Sequence, residues 1–272
     1  MNKDVLIGFW HGVGDHIIAS PAIKRFRELN PDIRIGWAAT NRYVKSGIFK
    51  YCPYINEIFE THDVWEDPKL GITALNGDRN TAKHYHLVKL VEIANQNNYK
   101  KILQINLDNV TSYPPVHRID NIFSDFGIEK VNYNFEIWTS KEDEQEVKQF
   151  LIDKELLDKK FVFVHATSTC EGRNWNKELV NSFLKRKYGD TPLIFSDSPE
   201  IMKMNVRSAF LVMKHASNLV LNNSSYLQAA DAFKKDVDYA FYECAKWALG
   251  TFRPLNIKCN LINPNITDIN TI

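Results

Sequence analysis

The chain has 272 residues, 44% of them hydrophobic and 25% charged, with a formal net charge of +1. This is ordinary globular composition, long enough for two small α/β domains, and it excludes any bulk electrostatic draw toward a polyanion. The four cysteines (Cys52, Cys170, Cys244, Cys259) are scattered without a C-x-x-C pair, a pattern of reduced thiols rather than of disulfides or a metal. No run approaches the about 18 apolar residues of a membrane span, and glycine breaks the opening "MNKDVLIGFWHG" too early for a signal peptide. A soluble, cytoplasmic protein with no stable membrane span is expected.

Strand and helix signals then alternate along the chain. "DVLIGFW" reads as a buried strand, and "DHIIASPAIKRFREL" as a helix with a kink or broken first turn expected at Pro21. "DIRIGWAA" is a second strand, "YVKSGIFKYC" a short helix and "INEIFE" a third strand. Residues 62 to 80 are rich in breakers and read as loop. "AKHYHLVKLVEIANQ" is a helix, "KKILQIN" a strand, "VHRIDNIFSDFGI" a helix ending at Gly127 and "YNFEIW" a strand. Ser140 then caps the charged helix "KEDEQEVKQFLIDK".

The pattern restarts near residue 160. "KFVFVHAT" is a strand, "NKELVNSFLKRKY" a helix, "TPLIFS" a strand, "SAFLVMKHA" a helix and "NLVLN" a strand. "SSYLQAADAFK" is a helix, "VDYAFY" a strand, "ECAKWALGTF" a helix and "NIKCNLI" a last strand. Strands alternating with helices imply parallel sheets, and the restart implies two of them. No internal repeat or low-complexity tract interrupts the pattern.

Parallel sheets bind ligands at the carboxyl ends of their strands. That singles out "HGVGD" in the first half, and "HATSTCEGRNW" and "NNSSYLQAA" in the second. At "NNSSYLQAA" a turn of small polar residues opens a helix, whose free N–H groups and dipole favour an anion. Ser224 and Ser225 add hydroxyls there, although Asn and Ser are also the commonest plain N-caps. Arg173 is placed to neutralise a diphosphate, or to stand as a solvated loop charge. A lone G-x-G is a weak signal, and there is no P-loop. His84 and His86 sit two apart in a helical pattern and so point to different sides, which argues against a metal pair. The local patterns give a two-domain α/β protein with a phosphorylated ligand and no more.

Taken in order, these segments resemble glycosyltransferase family 9, the heptosyltransferase-like enzymes of GT-B fold. "GVGDHIIASPAIKRFRELNPDIRIGWAA" is similar to the family's opening strand, Gly-Asp turn and helix carrying Pro-Ala and Lys/Arg. "YCPYINEIFE" resembles the segment that follows, and "FVFVHATSTCEGRNWNKE" the opening of the second domain. "LIFSDSPE" ends in Glu200 where the family carries a ribose-binding Glu. "NSSYLQAADA" corresponds to the family's Asp-Ser-Gly-x-x-His-x-Ala-x-Ala turn, with Asn223, Ser225 and Gln228 replacing Asp, Gly and His.

The resemblance implies two Rossmann-like domains facing across a cleft, 1–155 on the acceptor side and 156–272 binding the nucleotide sugar. It implies an inverting transfer from a nucleotide diphosphate sugar that needs no metal and no cofactor. Asp15 is the implied catalytic base, with Gly12, Gly14, Trp10 and His11 on the acceptor side. Thr167, Ser168, Thr169, Arg173, Glu200, Asn223, Ser224, Ser225 and Gln228 are the implied donor contacts. The other reading of Asp15 is a helix-start acid favoured by the dipole, worth about 0.3 to 1 kcal/mol. The acceptor is a surface or lipid-linked saccharide, or a hydroxymethylated base in phage DNA, for which "KRFR", "NRYVK" and "KRK" would supply a basic rim. The altered donor turn also motivates a non-catalytic member that binds a nucleotide sugar or a partner protein.

Overall fold

The computed structural model describes residues 4–61, 79–105, 116–131, 134–167, 177–241 and 252–262. Val5–Gly8 (β1) is buried along its whole length, as a central parallel strand covered on both faces must be. It pairs in parallel with Ile35–Thr40 (β2) on one side and Lys101–Gln104 (β4) on the other; β2 pairs in turn with Glu57–Thr61 (β3). The first sheet therefore runs β3-β2-β1-β4.

The helix after β1, Val13–Leu29 (α1), runs unbroken through Pro21, against the expected kink. Proline has no N–H to offer the Ile17 carbonyl four residues back. Ser20 Oγ donates to that carbonyl instead, at 2.6 Å. Asn41–Ser46 (α2) ends at Gly47, whose φ of 70° is left-handed and suits glycine at a helix end. Arg79–Gln96 (α3) covers β1: Leu90 and Ala94 pack with Leu6, Ala38 and Tyr99, and a Cβ on Gly8 would run into Leu90. Arg118–Phe126 (α4) packs on α1, with Phe26 and Phe126 edge to face at 5.4 Å.

"YNFEIW" (133–138), expected as a strand, forms none over its described residues 134–138. A strand requires a ladder partner, and none of the described strands pairs with this segment. Ser140 does cap Lys141–Asp153 (α5), accepting from the Asp143 amide at 3.2 Å while Asp143 accepts from the Ser140 amide at 2.9 Å.

The second sheet is built on Val162–His165 (β5), which is parallel to Leu193–Phe195 (β6) and to Asn218–Asn222 (β7). Val237–Phe241 (β8) and Cys259–Ile262 (β9) complete the order β6-β5-β7-β8-β9. Lys177–Tyr188 (α6) sets Val180, Phe183 and Leu184 against Val162, Val164 and Val220. A short helix that the sequence pattern did not disclose, Pro199–Lys203 (α7), precedes Val206–His215 (α8). Arg207 on α8 grips Asp143 on α5 through two buried hydrogen bonds of 2.8 and 2.9 Å. Ser225–Ala232 (α9) follows β7. The expected helix "ECAKWALGTF" lies almost entirely outside the described residues.

The chain divides into two compact units. One comprises Met1–Thr111 with Arg118–Asn132, and the other Ser112–His117 with Tyr133–Ile272. The second unit thus begins before the second run of strands, because α5 packs on α8 within it.

Candidate active site

In each sheet the strand order reverses beside the first strand of the unit, between β1 and β4 and between β5 and β7. Ligands of open parallel sheets bind at such reversals, outside the carboxyl ends of the strands. Both places carry turns that the sequence singled out.

At the first, β1 leads through Phe9, Trp10 and His11 to Gly12, and α1 begins at Val13 with Gly14 and Asp15 in its first turn. Gly12 N–H donates to Asp15 Oδ2 at 3.2 Å, and Arg118 Nε donates to Oδ1 at 3.0 Å. The Asp15 and Arg118 side chains keep only 15% and 11% of their surface. Burial alone would raise the Asp15 carboxyl. The Arg118 guanidinium, with smaller help from His11 and His16, overrides it and holds the group below the usual carboxylate range. Each carboxylate oxygen accepts one of these bonds and retains a second lone pair. Asp15 is therefore an ionised, positioned group with acceptor capacity to spare.

The surroundings are aromatic and uncharged. Burial pulls His11 down to about 3 and His16 to about 4, so both rings are neutral near pH 7. His16 Nδ1 donates to the Gly12 carbonyl at 2.9 Å, and its ring packs against Phe9, Trp37, Tyr43 and Phe49. Trp10 is buried, its ring 5.0 Å from that of His11 and 6.2 Å from that of His86 on α3. His84 is exposed and His86 buried, as helical geometry requires of positions two apart.

Sequence reasoning missed Arg118 and His16. Arg118 had left one trace: a cation opening a helix opposes the dipole there and calls for an anionic partner. Nothing local could say that the partner lies 103 positions away.

At the second reversal, Asn222 Nδ2 donates to the Thr167 carbonyl at 2.9 Å and ties the β5 and β7 turns together. Thr167 is exposed, while Ser224 and Ser225 are half-buried. Ser224 is the N-cap of α9, its Oγ accepting from Tyr226 N–H at 3.3 Å. Asn223 is buried, and so is Gln228, whose Nε2 donates to the Phe252 carbonyl at 3.0 Å. The ring of His165 lies 4.4 Å from Tyr226, with Nδ1 2.5 Å from Ser196 Oγ; burial pulls this histidine down to about 3. Glu200 stands at the start of α7, bonded to Lys154 at 2.6 Å and half exposed. Ser168, Thr169 and Arg173 lie outside the described residues. Among the described residues no three His, Cys, Asp or Glu side chains are grouped to hold a metal ion, and no helix is long and apolar enough to cross a membrane.

Two all-parallel sheets, each with a polar turn at its reversal, place the chain among proteins with the fold of the two-sheet glycosyltransferases. Among solved structures, it is similar to a family 9 glycosyltransferase from Veillonella parvula. The TM-score is 0.68 at 13% identity, over 96% of this chain and 86% of that one. It is similar too to the ADP-heptose LPS heptosyltransferase II of E. coli (0.66, 10%, 95% and 90%). A third match is the E. coli heptosyltransferase WaaC with ADP (0.59, 13%, 95% and 93%). At these identities the likeness is one of fold, and at that level it agrees with the family the sequence resembles. No protein-family model matches the chain, and no curated relative matches it.

Proposed function

We propose that the chain is a metal-independent, inverting glycosyltransferase that moves a sugar from a nucleotide diphosphate sugar to an acceptor hydroxyl. The carrying observation is Asp15, ionised and held by Arg118 and Gly12 N–H at the strand reversal of a sheet shared with glycosyltransferases. The first unit handles the acceptor and the second the donor. The acceptor oxygen attacks the anomeric carbon as its proton passes to Asp15. The bond from that carbon to the diphosphate oxygen breaks, and the electron pair leaves with the diphosphate. General base assistance of this kind contributes about 10²- to 10⁴-fold.

Charge growing on the diphosphate is met by the N–H groups and hydroxyls of the Ser224–Ser225 turn, with Arg173 and the hydroxyls of Thr167, Ser168 and Thr169. Helix N–H groups do not depend on side-chain identity, so anion binding survives the replacements at Asn223, Ser225 and Gln228. WaaC has been seen with ADP and with ADP-2-deoxy-2-fluoro heptose, which makes ADP sugars the first donors to try.

The basic runs divide on a DNA acceptor: Lys185, Arg186 and Lys187 are exposed, whereas the first run is engaged. The "KRFR" run does not present a free basic rim: Arg27 donates to the Tyr54 and Ile33 carbonyls and to Asn56, and Arg25 pairs with Glu28. A thermal-shift screen of nucleotide diphosphate sugars tests the donor. A true ligand at 100 times its dissociation constant stabilises by about 2.7 kcal/mol, and a flat response to every donor contradicts the reading. Acceptor binding that weakens steeply with salt would point to DNA instead.

The burial of Asn223 and Gln228 favours one second reading, a member that binds a nucleotide sugar without turning it over. Donor binding with no transfer and no slow donor hydrolysis would establish it.

A further inference from the structure

Gly12 presents its two backbone groups to two side chains of the helix it caps. Its N–H donates to Asp15 Oδ2 at 3.2 Å. Its carbonyl lies 2.9 Å from His16 Nδ1, and because a carbonyl only accepts, that nitrogen carries the proton. The same carbonyl already accepts from His16 N–H at 3.1 Å, the ordinary bond of a first helical turn. The ring bond is therefore not needed to satisfy the carbonyl. What it adds is a constraint on Gly12.

Glycine supplies little constraint of its own. The φ of −66° and ψ of 169° at Gly12 are open to any residue. Glycine also reaches many other conformations, in which its N–H no longer faces the carboxylate. The ring that limits it is itself fixed. His16 is 1% exposed, with Phe9 at 4.6 Å, Phe49 at 5.2 Å and Trp37 at 5.8 Å edge to face with it and Tyr43 tilted at 5.6 Å. Burying an imidazole among such rings costs more than burying a leucine of similar volume. Packing alone gives no reason for a histidine here; the bond to Gly12 does.

We propose that His16 is a positioning residue for the Asp15 carboxylate: its Nδ1–H pins the Gly12 carbonyl, and Gly12 so pinned keeps its N–H on Oδ2. Every residue in this chain of contacts, from Phe9 to Phe49, belongs to the first unit. The inference rests on the reading of Asp15 as the base, but its first two readouts do not depend on transfer.

The first measurement uses the native full chain. Nitrogen NMR of the His16 ring reads the tautomer. Near pH 7 a neutral ring with its proton on Nδ1 is expected, and a proton on Nε2 overturns the proposal. The second is the carboxyl titration of Asp15, followed by carbon NMR and assigned with Asp15→Asn. The groups that face this carboxylate are Arg118 of α4, His11 of the turn after β1, and His16. His16→Leu keeps the volume and loses the donor. His16→Asn keeps a donor, because its Nδ2 stands one bond from Cγ as Nδ1 does. Both variants lose the charge that the ring gains in acid, so the difference between them isolates the bond to Gly12. The leucine midpoint should stand above the asparagine midpoint by about 0.5 to 1 pH unit, the share of one backbone N–H bond to a carboxylate. Equal midpoints overturn the proposal. His16→Met takes the place of the leucine variant if that one does not fold.

In an active preparation kcat falls by about 10-fold or more in His16→Leu and recovers in His16→Asn, while KM for the donor holds. Absence of transfer by the native protein sinks the functional reading and leaves the tautomer and the two titrations to stand by themselves.

Discussion

The turn after β1 and the turn after β7 each border the reversal of their sheet and are held in opposite ways. The first depends on particular side chains. A carboxylate is pinned by a guanidinium from far along the sequence, among buried rings that stay neutral. At the second, side chains tie the turn down from outside, Asn222 to the Thr167 carbonyl and Gln228 to that of Phe252, but Ser224 caps its own helix and the amides that would meet an anion belong to no special residue. A site made of side chains fails when one is changed. A site made of amides tolerates substitution, so the second turn can depart from the pattern of the family the sequence resembles while the first keeps its Gly-Asp.

Arg118→Gln should break this contrast most sharply among changes that leave Asp15 in place. Stranding a largely buried carboxylate costs on the order of 3 kcal/mol, and the Asp15 carboxyl rises toward or above its ordinary value. Chemical denaturation and the acid limb of the rate profile both read it. A variant as stable as the native protein would mean that the pair is decorative.

Acid should come next. Burial holds His11 and His165 at about 3, and His16 and His86 at about 4, against 6.5 unfolded. Between about 6.5 and those values the unfolded chain binds more protons, so stability falls as pH falls through this window. Asp15 and Asp143, both lowered, add a further loss only below their ordinary range, near 3.8. Denaturation midpoints measured from pH 8 to pH 4 should hold to about pH 7 and decline below it; a flat profile to pH 5 refutes the neutral-histidine picture.

His86 offers a gain rather than a loss. It is buried, and among the described residues neither ring nitrogen is hydrogen-bonded, so His86→Leu should stabilise by about 1 kcal/mol and soften the acid decline. Ser224→Ala removes a cap, for about 1 kcal/mol of stability, yet should weaken donor binding only a few-fold in calorimetry. A loss of donor binding altogether would show that the second turn relies on side chains after all. Smallest of all is Glu200→Ala: its exposed bond to Lys154 should leave the melting temperature unchanged, so any loss of donor affinity would belong to ribose contact alone.

The contrast also explains what the sequence could disclose. Strands β1, β2, β5 and β7 were legible because central parallel strands are continuous apolar runs, and Asp15 because it follows one directly. The cap at Ser140 was legible because the helix it caps follows it directly. Pro21 misled because Ser20 repairs the bond that proline removes, a compensation invisible to propensity. "YNFEIW" misled because alternation announces a strand without saying whether a partner is present. Arg118 and the contacts of segment 252–256 with α9 were invisible because their partners lie far off in sequence, and long-range pairing leaves no local signature. Gln228, read as a donor contact, turns its amide into the unit toward Phe252, a direction that only packing reveals.

The most direct test sets Asp15→Asn beside the native protein in one assay, an ADP sugar with slow hydrolysis to free nucleotide as the readout and donor affinity measured in parallel. Asparagine keeps the shape and the acceptor oxygen but cannot take the proton. The account predicts unchanged donor affinity with turnover lowered by about 10²-fold or more. Equal turnover by the two proteins would contradict it.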